Sequence, residues 1–460
     1  MHRLSHHAAG LALATLAVLT LPVRAQDNPA AAPNDPKDGV ACPAELKDVA
    51  RCWHGSDANG ANYWIAIPHH WNRMLVVHAH GGPRMSHATN DDNVEDLARF
   101  AVTVKQGFAW AGSSYRRPGY GVLMAAEDTD NLRKLFVARF GQPERTILHG
   151  QSWGGNVAAK AIELYARPAG APKDAKPNYD GVVLTAGMLA GGTMNYLHRA
   201  DLRAVYQYYC NNHPRPDEPQ YPLWQGLPAD STMKPKDLEA RVEECLGIKL
   251  PDSKRSAEQK RKLANILGVI PVPERTLQSH LNWGTFTFRD LVQRIGGVNP
   301  FDNRHVAYTG SDDNAALNRG VQRFDADPKA VARLAEESDL SGRIEVPVLT
   351  LHAIDDPTAL VEYEAEYRAK VAGAGRDKLL LQTFTREDDH SKLSDAEYAG
   401  VFDTLVAWIA GGAKPSVADV ERACAQEAGR FSGGCRFDAS YRPRRLFERV
   451  APRMPAGGGK

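Results

Sequence analysis

A serine hydroxyl attacks a carbonyl carbon only when a base takes its proton and a carboxylate orients that base. Amide groups must also receive the charge that develops on the attacked oxygen. The sequence offers residues for each part. Gly150-Gln151-Ser152-Trp153-Gly154 fits Gly-x-Ser-x-Gly, in which a strand turns sharply into a helix and lifts the serine clear of the sheet. The turn needs small residues two positions either side of the serine, because a Cβ there would meet the opposing backbone. The other partners should follow later in the chain, acid before histidine. The apolar run Val348–His352 leads into Ala353-Ile354-Asp355-Asp356-Pro357, and Leu379–Thr385 leads into Arg386-Glu387-Asp388-Asp389-His390. His390 is the expected base. Asp355 and Asp356 compete for the acid, and Asp356 is favoured because it lies further past the strand end and directly before Pro357, which fixes the turn. Upstream, the paired glycines of His80-Gly81-Gly82-Pro83 let backbone approach a developing oxyanion closely. The expected amide donors are Gly82, with Gly81 second, and Trp153. The expected catalytic residues are Ser152, Asp356 and His390.

These residues need a scaffold, and the apolar periodicity supplies one. Tyr63–Ile67 reads as a first strand, followed by Met74–Ala79, which runs into His80. Val94, Leu97, Ala101 and Val104 mark a helix closed by Gly107; Phe108–Gly112 is the next strand. Leu132, Leu135, Phe136 and Phe140 mark a helix that stops at Gly141-Gln142-Pro143, before the strand Thr146–Leu148. Ala158, Ala161, Ile162 and Tyr165 repeat with helical period after Ser152, and Gly181–Ala186 is another buried strand. Near-continuous apolar strands alternating with helices predict an α/β chain with a mostly parallel sheet covered on both faces. From Gly191 to about Arg343 the alternation stops and helical patterns, proline and charge take over; this predicts a large, mainly helical, lid-like insertion. It carries Trp283, Phe286 and Phe288, which suit either a substrate pocket or the insertion's own core. Alternation resumes at Pro347. After a strand over Lys378–Thr385, a final helix opens with Ser394 and Glu397 as a capping box and ends at Gly411-Gly412. The predicted division is 1–25 signal peptide, 26–59 N-terminal extension, 60–190 with 344–412 core, 191–343 insertion, and 413–460 an irregular, arginine-rich tail.

Lys and Arg number 56 against 55 Asp and Glu, without a basic stripe, so nucleic acid is not an expected partner. His2 and Arg3, the apolar run Leu11–Leu21 and Val23-Arg24-Ala25 read as a secretion signal cleaved after Ala25, which predicts a periplasmic or secreted protein with no membrane anchor in the mature chain. Six cysteines in an exported chain favour disulfides, and pairing local in sequence gives Cys42–Cys52, Cys210–Cys245 and Cys424–Cys435. His78 and His80 point to one face of a strand, as metal ligands would. Glycines and a proline stand where a further ligand would follow, so no metal is expected.

Together, His80-Gly81-Gly82-Pro83, Gly150–Gly154, the turn at Asp356 and the turn at His390 resemble a secreted bacterial member of the α/β-hydrolase superfamily. The resemblance covers roughly residues 60–190 and 344–412. It implies an α/β-hydrolase fold with an eight-stranded, mostly parallel sheet, a cofactor-free serine mechanism and a cap inserted after the strand near Val182–Thr185. The His-Gly-Gly-Pro form is similar to prolyl-oligopeptidase-like enzymes and proline iminopeptidases as well as esterases. Ala353 departs from the family, which often has glycine there. The expected activity is cleavage of a small carboxylic ester through an acyl-enzyme. The alternative is a peptidase with the same triad, which would need a carboxylate such as Glu243 or Glu336 to hold a terminal amine. A non-catalytic binding protein on this fold would usually lack one of the three residues.

Overall fold

The computed structural model describes residues 39–168, 170–172, 175–390 and 392–449. The expected signal peptide, its cleavage site, most of the adjoining linker and the last residues of the tail lie outside the described residues.

Eight strands form one sheet: β1 Ala50–Ser56, β2 Asn62–Pro68, β3 Met74–Ala79, β4 Ala109–Ser113, β5 Arg145–Gln151, β6 Gly181–Thr185, β7 Val348–Ala353 and β8 Leu380–Thr385. Their spatial order is β1-β2-β4-β3-β5-β6-β7-β8. β2 runs antiparallel to β1 and β4, and every pairing from β4 onward is parallel. The central strands are buried on both faces, so their side chains divide between two cores. Leu75, Val77, Leu148, Val182 and Leu184 face one core; Val76, Ile147, Val183, Leu349 and Leu351 face the other. The first core continues into the insertion through Tyr196, Leu202 and Phe288. Helix Asp395–Gly411 closes the second with Phe402 and Leu405.

Three local expectations need correction. Starting the core at residue 60 leaves out β1, whose residues pair with β2 from Ala50–Pro68 to Ser56–Asn62. This edge strand alternates irregularly and carries Arg51, His54 and Gly55, so its apolar signal is weak. The helix expected over Val94–Val104 is two helices, Asn90–Arg99 and Ala101–Lys105. They break at Phe100, whose ring packs against His78 and His149. The tail is not irregular throughout. Ser416 caps a helix, Val417–Glu427, which buries Val420 and Cys424 against helix Asp395–Gly411 at the close approach that Gly400 permits. Between β6 and β7 the chain is helices and turns with no strand, including helices Leu197–Cys210, Pro235–Leu246, Ala257–Val269 and Pro328–Ser338. All three expected disulfides are present: Cys42–Cys52, Cys210–Cys245 and Cys424–Cys435. Among the described residues, no helix is long and apolar enough to cross a membrane.

Candidate active site

Ser152 stands between β5 and helix Trp153–Tyr165 with φ 59° and ψ −125°, a left-handed backbone that a non-glycine residue adopts only under constraint. The constraint is visible. Its N–H donates to the Thr185 carbonyl at 3.0 Å, and its own carbonyl accepts from Gly155 at 2.9 Å and Met188 at 3.0 Å. The flanking glycines are steric requirements: a Cβ on Gly150 would lie 2.2 Å from the Gly154 carbonyl oxygen, and one on Gly154 would lie 2.1 Å from that of Ala79. The elbow therefore rests directly on the end of β3.

The loops after β7 and β8 bring the other two residues to the same place. His390 Nε2 lies 2.8 Å from Ser152 Oγ. His390 Nδ1 donates to Asp356 Oδ2 at 2.8 Å. Asp356 is fully buried, and its Oδ1 accepts the amides of Thr358 and Ala359, each at 2.8 Å. Asp355, its neighbour, is exposed. Burial alone would raise the Asp356 pKa, but His390 and His352 override it and hold the carboxyl well below its ordinary value. The histidine loop is fixed from the elbow itself, since Gln151 Nε2 donates to the His390 carbonyl at 3.0 Å.

Gly82 has φ +70°, and the turn it shares with Gly81 presses against the elbow: a Cβ on Gly81 would meet the Gln151 carbonyl oxygen at 3.0 Å. Trp153 opens its helix, where first-turn amides have no intrahelical acceptor. Behind this turn lies a buried network. Asp96 bonds His80 Nδ1 and lies 3.3 Å from His78 Nε2; His78 Nδ1 meets His149 Nδ1 at 3.0 Å. Burial opposes the Asp96 charge, yet His80 and His78 keep its pKa well below the ordinary value. The Tyr115 hydroxyl donates to the His80 carbonyl at 2.9 Å. His78 and His80 thus face a carboxylate partner that spacing along the strand did not reveal.

The insertion grips both loops. Thr276 Oγ1 and His280 Nε2 donate to the Pro357 carbonyl at 2.9 and 3.0 Å, Arg199 Nη2 to that of Thr358 at 3.2 Å, and Arg275 Nη2 to that of Asp388 at 2.7 Å. Of the insertion's aromatics, Phe288 is fully buried and stacks on Phe301 at 4.4 Å, so it belongs to the insertion's core. Trp283 is half-buried and stacks on Tyr196 at 5.1 Å. Glu336 is exposed, and Glu243 accepts the Lys249 amide at 2.9 Å. Sequence reasoning gave no role to Gln151, His352, Arg199 or His280. His352 did leave a trace, as a polar residue near the end of a fully buried strand.

The strand order, the two antiparallel pairings at one edge and the strained serine turn between β5 and its helix decide the architecture. This is the α/β-hydrolase fold. No protein-family model matches the chain. It is 29% identical to the o-phthalyl amidase of Xanthobacter agilis over 115 residues, a match that spans 24% of this chain and 24% of that protein. Similar solved α/β structures include an esterase from Aspergillus oryzae at 15% identity, covering 80% of this chain and 81% of that one with a TM-score of 0.41. Feruloyl esterase B from Aspergillus oryzae is 13% identical, covering 80% and 82% with a TM-score of 0.42. A puromycin hydrolase is 13% identical, covering 81% of this chain and 41% of that one with a TM-score of 0.38.

Proposed function

We propose that this α/β-hydrolase-fold protein is a serine hydrolase that cleaves a small carboxylic ester through an acyl-enzyme. The observation that carries the reading is the hydrogen-bonded line from Ser152 through His390 to buried Asp356. In this reading His390 takes the Ser152 proton as Oγ attacks the carbonyl carbon, and the Gly82 and Trp153 amides receive the oxyanion. Asp356 holds the His390 tautomer and stabilises its imidazolium. His390 then protonates the departing alcohol, and water, activated by the same imidazole, releases the acid. The chemistry needs no cofactor. The helical insertion acts as the lid that chooses the substrate, and a signal peptide ending at Ala25 exports the enzyme to the periplasm or beyond. Three disulfides support that location.

An amide substrate on the same residues is the second reading, and the 115-residue likeness to an amidase favours it. Purified mature protein tested on p-nitrophenyl esters against aminoacyl p-nitroanilides separates the two. An organophosphonate probe should label Ser152 and no other residue. In Ser152→Ala, labelling should vanish and turnover fall by about 10⁶-fold with the fold intact. Label on another serine would overturn the mechanism.

A further inference from the structure

Arg199 lies in the first turn of helix Leu197–Cys210 and is 1% exposed. Lysine and arginine are almost never this buried without a carboxylate partner. Its donors are only partly used. Nε donates to His280 Nδ1 at 3.2 Å and Nη2 to the Thr358 carbonyl at 3.2 Å, while Nη1 has no partner among the described residues. The nearby carboxylate, Asp356, already has both oxygens engaged, by the Thr358 and Ala359 amides and by His390. Aromatic faces flank the guanidinium in place of an anion, with Trp283 at 4.9 Å and Tyr196 at 5.7 Å.

Burial and an unpartnered nitrogen are not by themselves informative. Arg203, one turn on, is also fully buried, donates to the His213 carbonyl inside the insertion and leaves Nε and Nη1 without a hydrogen-bond partner among the described residues. Arg199 differs in where it sits. On one side its head meets Thr358, two residues past Asp356. On the other its aromatic neighbour Tyr196 packs edge-on against Tyr120, which packs against Trp153, the residue after Ser152. The guanidinium is thus bonded to the acid turn and linked through two packed tyrosine rings to the elbow. Its cover, Trp283, is half-buried and opens a π-helical turn, Trp283–Thr287, a deviation frequent at functional sites. Gly284 lets that turn approach the helix, since a Cβ there would lie 2.8 Å from Arg203 Cγ. Bracing the acid turn accounts for the Nη2 bond; it does not account for Nη1.

We propose that Arg199 is the specificity residue of this site and that it binds a carboxylate carried by the substrate. The substrate class is then an ester or amide with a free acid group, which supplies the missing counter-charge when it binds. The inference rests on the serine-hydrolase reading above. Its probes are mono-p-nitrophenyl succinate, glutarate and adipate, each compared with its methyl-capped diester, which differs by a methyl group and the charge. At the best chain length the free acid should exceed the capped ester in kcat/KM by ~10-fold or more. Arg199→Met should lower that acid-to-capped ratio by ~10–100-fold, the span of a charge-assisted hydrogen bond, and Arg199→Lys should retain part of it. A merely structural role would depress both esters together and leave the ratio unchanged, which would overturn the proposal. If Arg199→Met does not fold, the wild-type series decides: no preference for the acid at any length overturns it. Turnover of capped esters without acid preference, by an enzyme whose Ser152 a separate organophosphonate assay shows to be reactive, defeats this inference alone. Absence of turnover and labelling on every ester and anilide defeats the hydrolase reading with it.

Discussion

His352 presents its ring nitrogens to atoms that can only accept: Nε2 to the Ala359 carbonyl at 2.9 Å and Nδ1 to Glu364 Oε1 at 3.3 Å. With the Glu364 carboxyl ionised, both nitrogens carry protons, and the ring is an imidazolium lying 3.5 Å from Asp356 Oδ2. Burial works against that charge, but Asp356 and Glu364 outweigh it and raise the pKa to about 10. A folded-state pKa above the unfolded value of ~6.5 gives stability that is complete below that pH and is lost as pH rises through the folded value. Urea unfolding of the wild type should therefore show falling stability between pH ~6.5 and 10, and His352→Gln should lack that fall. Parallel curves for the two proteins would refute the imidazolium. Asp356 works in the opposite direction: its depressed pKa stabilises the fold above ~3.9 and stops doing so as pH falls through the folded value. Its proposed catalytic role gives a sharper contrast with its neighbour. Asp356→Asn should cut turnover by about 10³–10⁴-fold, because the imidazole would favour the wrong tautomer, whereas Asp355→Asn alters an exposed side chain and should cost little. Steady-state kinetics that ranked the two variants the other way would reassign the acid.

The elbow shows what one element imposes on the next. With Gly154 only a Cβ's width from the ends of β3 and His80, Gly154→Ala must push helix Trp153–Tyr165 away from the Gly81-Gly82 turn. A displacement near 1 Å is enough to cost ~10²-fold in turnover, so kcat should fall by at least that much. Gly411, in the last turn of helix Asp395–Gly411, has nothing within 4 Å of an added Cβ. Gly411→Ala should instead raise stability by about 0.5–1 kcal/mol with kcat unchanged. Equal effects of the two substitutions on kcat would show that the close approach is not what the elbow needs. The parallel strands were legible from sequence because each is buried on both faces and reads as an unbroken apolar run. The serine turn was legible because its geometry restricts residue type at three of five successive positions. β1 and helix Val417–Glu427 were not, since each buries only a few side chains at an edge and their patterns are too short to stand out. Asp96, Arg199 and His280 were out of reach for a different reason. Their partners lie 16 to 159 residues away in the chain, and no local spacing records such pairings.

At the scale of the whole molecule, the three disulfides fasten the parts that the sheet does not hold. Cys42–Cys52 ties the chain's entry to β1, and Cys424–Cys435 ties helix Val417–Glu427 to the segment that pairs Phe437 with Thr385 at the β8 edge. Cys210–Cys245 lies wholly in the insertion, joining the end of helix Leu197–Cys210 to helix Pro235–Leu246. It spans 35 residues against 10 and 11 for the others. On the chain-entropy account the longer loop constrains the unfolded chain more, by about 3–4 kcal/mol against about 2.5–3 for each short one. Helix Leu197–Cys210 also carries Arg199 at its opposite end, so slackening at Cys210 is transmitted toward the Thr358 contact without touching Ser152, His390 or Asp356 directly. The double variant Cys210→Ser, Cys245→Ser should therefore lose more stability than either comparable pair. Its KM should rise by more than its kcat falls, and organophosphonate should still label Ser152 at close to the wild-type rate. Urea unfolding of the three double variants, with esterase kinetics and labelling on each, tests this. A kcat loss larger than the KM rise would mean that the insertion holds the serine–histidine–aspartate line itself together, and that its bridge belongs to catalysis more than to substrate choice.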